Sequence, residues 1–263
     1  MHKPIYSDQQ RKNALERLIQ NRQLVTYFQP IVDMKSQRVI GFELLNRPDQ
    51  SPEFAGANDL YSFASKMNLA SQLDRVCRDI GIQRFSSAAA MYEELRMMQI
   101  FVNVHTDALE SPGFHSQETL GILEENGLSP TQIVFEITER GAIEDYTRFG
   151  EILVCYHEKG FRIAIDDFGT GYNSLQSIVY VNPHIIKVDR SIVNQIDNRE
   201  RQQKLLEIIT RYAREIGALV LAEGVERKEE VCLLMQLGVD LAQGYYFGPP
   251  TTEIGRFRHL LMH

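Results

Sequence analysis

The residues able to do chemistry in this chain stand at the ends of short apolar runs. Phe101 precedes Asn103 in alternation, Val134 precedes Glu136, Ile185 precedes Lys187, and Leu219 and Leu221 precede Glu223. Glu43 and Gln243 hold the same place in their own runs, and the adjacent acids Asp166 and Asp167 close another. Gathered in one cavity, Glu43, Glu136, Asp166, Asp167 and Glu223 could not all stay ionised unaided, because an isolated buried carboxylate is costly or takes up a proton. Divalent cations would compensate. Oxygen donors with one amide carbonyl, from Asn103, suit Mg²⁺ or Mn²⁺, and no His or Cys joins them to favour Zn²⁺. Two such ions about 3.5–4 Å apart stabilise the attacking and leaving oxygens of a phosphodiester hydrolysis. Lys187 fits as a cation for the phosphate or the attacking water. Taken singly, each residue has a bland role: an acid at a strand end can cap a helix or pair with a base. Asp189 can cap a helix starting near Ser191, and Arg47 can be a solvated loop charge. The set as a whole favours chemistry.

For these groups to converge, the strands that carry them must share a rim. The pattern predicts strands at 27–32, 39–45, 100–104, 133–138, 162–166, 185–189, 219–224 and 241–247. Between them Leu60, Phe63, Ala64 and Met67, then Leu73, Val76 and Ile80, form apolar stripes at helical spacing, as do Leu205, Leu206, Ile209, Tyr212 and Ile216. Gly217 stands where a helix would end in the left-handed conformation, and Gly160 and Gly238 repeat the device. Eight strands linked mainly by helices predict a (β/α)₈ barrel, which needs roughly 30 residues per unit. An open doubly wound sheet would offer a Gly-rich phosphate loop after its first strand, and none is seen.

In a barrel, alternate residues point inward and catalytic groups cluster at the C-terminal strand ends. Parity then groups Gly41, Glu43 and Leu45 on one side of their strand, and likewise Phe101 with Asn103, Val134 with Glu136, Ile163 with Ile165, Ile185 with Lys187 and Asp189, and Leu219 with Leu221 and Glu223. Asp166 and Asp167 break the alternation, so the turn into Gly169 must bring both carboxylates round to one site, where they bind two cations or bridge them.

Of 263 residues, 43% are hydrophobic, enough for a sizeable core. The formal charge of −7 argues against a duplex nucleic-acid or membrane-surface binder, since both partners reward a basic face. The longest apolar runs, such as 218–222, fall far short of the roughly 20 residues that span a bilayer. The N-terminus lacks a signal-peptide pattern, so a cytoplasmic location is expected. Cys77, Cys155 and Cys232 are odd in number and set in helical patterns, which predicts reduced thiols packed as small hydrophobes. One domain is expected, with residues 1–23 as a helical lead-in to a barrel over 24–263.

The segments Tyr27-Phe-Gln-Pro-Ile31, Glu43-Leu-Leu-Asn-Arg47, Asn103, Glu136-Ile-Thr-Glu139, Asp166-Asp-Phe-Gly-Thr-Gly171, Lys187-Val-Asp189, Glu223-Gly-Val-Glu226 and Gln243-Gly-Tyr-Tyr-Phe-Gly-Pro249 together resemble the EAL family of cyclic di-GMP phosphodiesterases. The resemblance spans 29–249 and implies a modified (β/α)₈, TIM-like barrel that hydrolyses cyclic di-GMP to linear 5′-pGpG with two Mg²⁺ or Mn²⁺ ions. It implies that Glu43, Asn103, Glu136 and Asp166 hold one ion and that Asp166, Asp167 and Glu223 serve the other. Lys187 and Gln243 would position the attacking water, and Glu223 is also a candidate base; the assignment stays open. Arg47 would meet a phosphate oxygen, with Gln29, Asp189 and Pro249 lining a guanine site and Leu45 beside the substrate. Glu139 and Glu226 would brace the 167–171 loop, which includes Thr170. A homodimer is implied, and attachment to a sensory or regulatory domain in a longer protein is compatible with it.

One position departs from the family pattern: the signature tripeptide has Leu44 where the family has Ala. Parity turns residue 44 outward, toward the helices, so packing behind the site should change and Glu43 should not. His105 shares the parity of Asn103, but neither it nor His184 matches a functional position, and both are left out of the site. Two other functions compete. A non-catalytic cyclic di-GMP receptor would have lost metal ligands, and every matched position is filled by a competent residue. An enolate-stabilising barrel would want a second lysine or histidine across the cavity, and none is apparent.

Overall fold

Eight strands close into one barrel in chain order: β1 (Leu24–Asp33), β2 (Arg38–Pro48), β3 (Gln99–His105), β4 (Ile133–Thr138), β5 (Arg162–Phe168), β6 (Ile185–Val188), β7 (Leu219–Ala222) and β8 (Leu241–Gln243). The computed structural model describes residues 6–49, 51–106, 109, 116–138, 146–169 and 175–261. Among these the helices are α1 (Asp8–Gln20), α2 (Ala57–Lys66), α3 (Ala70–Met91), α4 (Ser116–Glu125), α5 (Tyr146–Glu158), α6 (Leu175–Val181), α7 (Arg190–Val193), α8 (Glu200–Glu215), α9 (Lys228–Gln236) and α10 (Arg258–Leu261).

The barrel is modified at its first strand. β2 to β8 run parallel, but β1 is antiparallel to both β2 and β8. The cause is local: β1 and β2 form a hairpin, because the connection after Asp33 is far too short for a crossover helix. Asp33 Oδ1 accepts from Ser36 N at 2.6 Å within that turn. Because β1 runs the other way, its residue Gln29 lies beside Glu43 in the register.

Among the described residues three apolar clusters hold the chain. The largest lies between sheet and helices and includes Phe42, Leu44, Val102, Phe135, Ile163, Ile165, Val188 and Val220. A second joins Leu15 and Leu18 of α1 to Leu60, Phe63, Leu73 and Cys77. Ser7 starts α1 with a capping box to Gln10. The third fills the barrel: Ile31, Phe101, Val134, Ala164, Ile185, Leu221 and Leu241. Gly160, Gly217 and Gly238 end α5, α8 and α9 at positive φ, as their positions predict.

Strand 5 corrects the expected parity. Ala164 faces the barrel interior, while Ile163 and Ile165 face the helices. Asp166 therefore continues the inward alternation from Ala164. The break comes one residue later, where Asp167 takes a left-handed φ of 53° and the pairing with β6 skips. Strands 6, 7 and 8 also stop short of their predicted ends; Asp189, expected in β6, is the cap of α7. The cysteines divide: Cys77 is buried, but Cys155 and Cys232 are exposed on α5 and α9, contrary to the packing predicted for them. No helix among the described residues is long and apolar enough to cross a membrane.

Candidate active site

Each strand places one polar side chain above the apolar layer of the barrel. Phe101 lies below Asn103, Val134 below Glu136, Ala164 below Asp166, Ile185 below Lys187, Leu221 below Glu223 and Leu241 below Gln243, each pair two residues apart on one face. Gly41 sits below Glu43, close to Gln99 of β3, where a Cβ would come within 2.5 Å of the Gln99 carbonyl oxygen. In the reversed β1 the order inverts, with Ile31 below and Gln29 above. The apolar floor and the polar rim are one pattern repeated around the barrel.

The rim is a network around one lysine. Lys187 Nζ lies 2.6 Å from Glu136 Oε1, 2.8 Å from Asp166 Oδ1 and 2.8 Å from Glu223 Oε1, and it is 1% exposed. Asn103 Nδ2 donates to Glu43 at 3.1 Å and Glu136 at 3.2 Å, and Gln243 Nε2 donates to Glu43 at 2.5 Å and Gln29 at 3.0 Å. Burial pushes the Glu136 carboxyl well up, and Glu43 and Asp166 add to this against the opposing pull of Lys187. Glu223 is raised by burial as well, opposed by Lys187 and helped by Asp166 and Glu43. Burial alone would lower Lys187, but Asp166, Glu136 and Glu223 outweigh it and hold the ammonium charged.

One ammonium does not balance the carboxylates of Glu43, Glu136, Asp166, Asp167 and Glu223, so the rim is built for further positive charge. Asp166, Asp167 and Glu223 each offer an oxygen, and these all lie within 4.8 Å of one another. The left-handed turn at Asp167 is what brings the adjacent acids together, where sequence alone pointed to the turn at Gly169. Gln243 Oε1 is buried with no hydrogen-bond partner among the described residues. An all-oxygen, charge-rich set beside the orphaned Gln243 acceptor fits a hard divalent cation.

The rim opens on a cavity of about 640 Å³ lined by Glu43, Asn103, Asp166, Asp167, Lys187 and Glu223, and also by Leu45 and Arg47. Its far wall comes from α2 and α3 and holds residues the sequence reading missed. Asn58, Tyr61, Ser62 and Ser65 line it from α2 at i, i+3, i+4 and i+7. That polar stripe lies opposite buried Leu60, Phe63 and Ala64 and was readable as a helix face aimed at something polar. Asp74 joins from α3, 2% exposed, with Arg78 4.0 Å away. Burial raises its carboxyl to about 7, opposed by Arg78 and by a hydrogen bond from the backbone of His105. His105, left out of the site on sequence, also lines this wall, with Nε2 3.4 Å from Ser65 Oγ.

Other expected residues take different places. Gln29 is buried and bonded to Gln243 and the Gly248 carbonyl. Asp189 accepts from Ser191 N at 2.8 Å, the capping role open to it from the start. Pro249 is exposed. Neither Gln29, Asp189 nor Pro249 lines the cavity among the described residues. Glu226 pairs with Arg190 at 2.7 Å. Glu139 and Thr170 lie outside the described residues. His184 accepts from Ile163 N and meets His157 edge to face at 4.8 Å, away from the rim.

A family model described as the EAL domain matches residues 12–250. The chain is 29% identical over 251 residues to the probable cyclic di-GMP phosphodiesterase PdeG of Escherichia coli (strain K12), covering 95% of this chain and 49% of that protein. It is 29% identical over 235 residues to the cyclic di-GMP phosphodiesterase RocR of Pseudomonas aeruginosa, covering 89% of this chain and 59% of that one. The chain thus spans about half the length of these curated relatives. Among solved structures, a complex of the PaMucR phosphodiesterase with c-di-GMP aligns with a TM-score of 0.80 at 26% identity, covering 92% of this chain and 97% of that one. A manganese and cyclic di-GMP complex of Klebsiella pneumoniae BlrP1 aligns with a TM-score of 0.74 at 27% identity, covering 87% and 56%.

Proposed function

The chain belongs to the EAL domain family, and we propose that its rim hydrolyses one phosphodiester of cyclic di-GMP, giving linear 5′-pGpG, with two Mg²⁺ or Mn²⁺ ions bound. The observation that carries the reading is the crowding of Glu43, Glu136, Asp166, Asp167 and Glu223 at the mouth of the barrel, three of them on the buried Lys187. Glu43, Asn103, Glu136 and Asp166 would hold one ion, and Asp166, Asp167 and Glu223 the other. Bound there, the ions supply Lewis-acid chemistry at the phosphodiester.

The remaining work falls to the chain. Gln243 holds Glu43 through Nε2 and leaves Oε1 to accept from a water. Lys187 keeps three carboxylates gathered and offers positive charge toward the reacting phosphate. Glu223, at the cavity wall, is the candidate to take the proton of the attacking water at its carboxylate. Arg47 at the cavity wall can meet a phosphate with parallel N–H donors to two of its oxygens. Leu45 supplies an apolar contact beside it. Gln29, Asp189 and Pro249 serve the guanine site in this reading, and Glu139, Thr170 and Glu226 its loop. The reading extends to a homodimer working in the cytoplasm under a sensory or regulatory region.

Incubating the purified chain with cyclic di-GMP and Mn²⁺, and following the product by chromatography, tests the proposal. Linear 5′-pGpG should form with the wild type and not with Glu43→Ala. Tight binding without turnover in either Mg²⁺ or Mn²⁺ would instead make the chain a receptor.

A further inference from the structure

The candidate ligands of the second ion come from two separated strand ends: Asp166 and Asp167 from β5, Glu223 just beyond β7. β6 lies between them in the sheet and runs directly into α7. Both flanking turns close against that helical turn. At Gly169 (φ 109°) an added Cβ would lie 2.3 Å from Ile192 Cδ1. At Gly224 (φ 67°), next to Glu223, it would meet the Arg190 side-chain carbons at 2.5, 2.7 and 2.8 Å. Backbone bonds complete the contact: Asp189 N donates to the Phe168 carbonyl at 3.2 Å, and Glu223 N to the Val188 carbonyl at 3.0 Å. The Arg190 guanidinium is held by Glu226 at 2.7 Å, so the residue grips the β7 turn at two points.

We propose that Arg190 is a positioning residue for the ion site: its stem against Gly224 and its pair with Glu226 hold Glu223 at ligand distance from Asp166 and Asp167. The α7 turn is then a wedge, with Arg190 on the Glu223 side and Ile192 on the Asp167 side. It opposes two tendencies to spread, the mutual repulsion of the acids and the relaxation of the left-handed Asp167. The inference rests on the metal reading above. It separates from a plain structural role because both members of the Arg190–Glu226 pair are largely exposed, and such a pair adds little to stability. Its loss should therefore appear in ion binding and not in melting.

The test is calorimetric Mn²⁺ binding to the full chain without substrate, with melting in EDTA alongside. Arg190→Ala should weaken Mn²⁺ binding about tenfold, the lower end for loss of a group that orients metal ligands, with little change in melting. Arg190→Lys keeps the stem over Gly224 and a charge toward Glu226, so it should recover most of the affinity. Wild-type affinity in Arg190→Ala, or equal weakness in Arg190→Ala and Arg190→Lys, overturns the proposal. If Arg190→Ala does not fold, Arg190→Met decides, since it removes the charge and leaves the stem: intermediate Mn²⁺ affinity supports the wedge and unchanged affinity overturns it. Failure of the wild type itself to bind Mn²⁺ is a different result, which removes the metal reading and this proposal with it.

Discussion

Lys187 is the residue on which the rim turns when no ion is bound, because its ammonium is the group shared by Glu136, Asp166 and Glu223. Sequence parity placed it on the rim but pointed it toward phosphate or water, since nothing in spacing says how many carboxylates will close around a lysine. Lys187→Met keeps the volume and removes the charge. Removing one partner of a buried ion pair costs about 3–5 kcal/mol, which for a chain of this size is roughly 6–20 °C in Tm. Metal-stripped Lys187→Met should melt lower by that order, and Mn²⁺ should raise its Tm further than it raises the wild type's, because the cation then replaces the missing charge. Equal Mn²⁺ shifts in the two proteins, measured by calorimetry, would contradict this. The adjacent acids show the limit of residue-scale reading: that they must meet was legible, but that Asp167 would adopt the unusual φ was not.

At the scale of elements, β2 and α3 are fitted to each other behind the site. Leu44 is 2% exposed in the layer between sheet and helices, and a Cβ added to Gly81 would come within 2.7 Å of its Cδ1. The altered signature position is thus matched by a glycine on the facing helix. Parity made the outward direction of residue 44 legible, but its partner lies across the fold and has no sequence signal. Gly81→Ala should destabilise by about 1–3 kcal/mol through overpacking and Leu44→Ala by about 2–5 kcal/mol through the cavity it leaves. The double variant should cost less than the sum, with Mn²⁺ affinity retained. Strict additivity in urea unfolding would show that the two sites do not touch.

The same helix carries Asp74, whose carboxyl is raised from 3.8 to about 7, chiefly by burial. A raised carboxyl takes up a proton on folding, so its contribution is complete below the unfolded value and is lost as pH climbs through about 7. Asp74→Asn, which stays neutral, should narrow the fall in Tm between pH 5 and pH 8 by several degrees relative to the wild type. An unchanged pH profile would mean that Asp74 is ionised throughout. The acid is hard to read from sequence because the apolar stripe of α3 says nothing of the charged pair Asp74 and Arg78, although both are buried with it. On α2, the polar stripe from Asn58 to Ser65 was legible and unread.

For the whole molecule, eight apolar runs were enough to give the barrel, because alternation reports burial on both faces of each strand. Strand direction is absent from that signal. The reversal of β1 was readable only from the short gap between the first two runs, which leaves no length for a helix. That reversal matters for function, since it sets Gln29 beside Glu43 and closes the ring at Gln243. The lead-in helix is part of the same body: Leu15 and Leu18 are buried against Leu60, Phe63 and Leu73, and Arg11 both pairs with Asp59 at 2.6 Å and lies 4.3 Å above the Phe63 ring. Deleting residues 1–23 should lower Tm and expose apolar surface to a reporter dye, at about 1.5–3 kcal/mol for each of the two buried leucines. A truncated chain that melts with the wild type would make α1 a mere appendage.

Glu43, Glu136, Asp166, Asp167 and Glu223, three of them on Lys187, together make the proposed catalytic divalent-cation site. The most direct measurement is the rate of linear 5′-pGpG formation by the metal-stripped chain as Mn²⁺ is added. The expected result is no turnover in EDTA, turnover that rises to saturation with Mn²⁺, and a flat line for Glu43→Ala. Turnover that persists in EDTA, or that Glu43→Ala retains at saturating Mn²⁺, would contradict it.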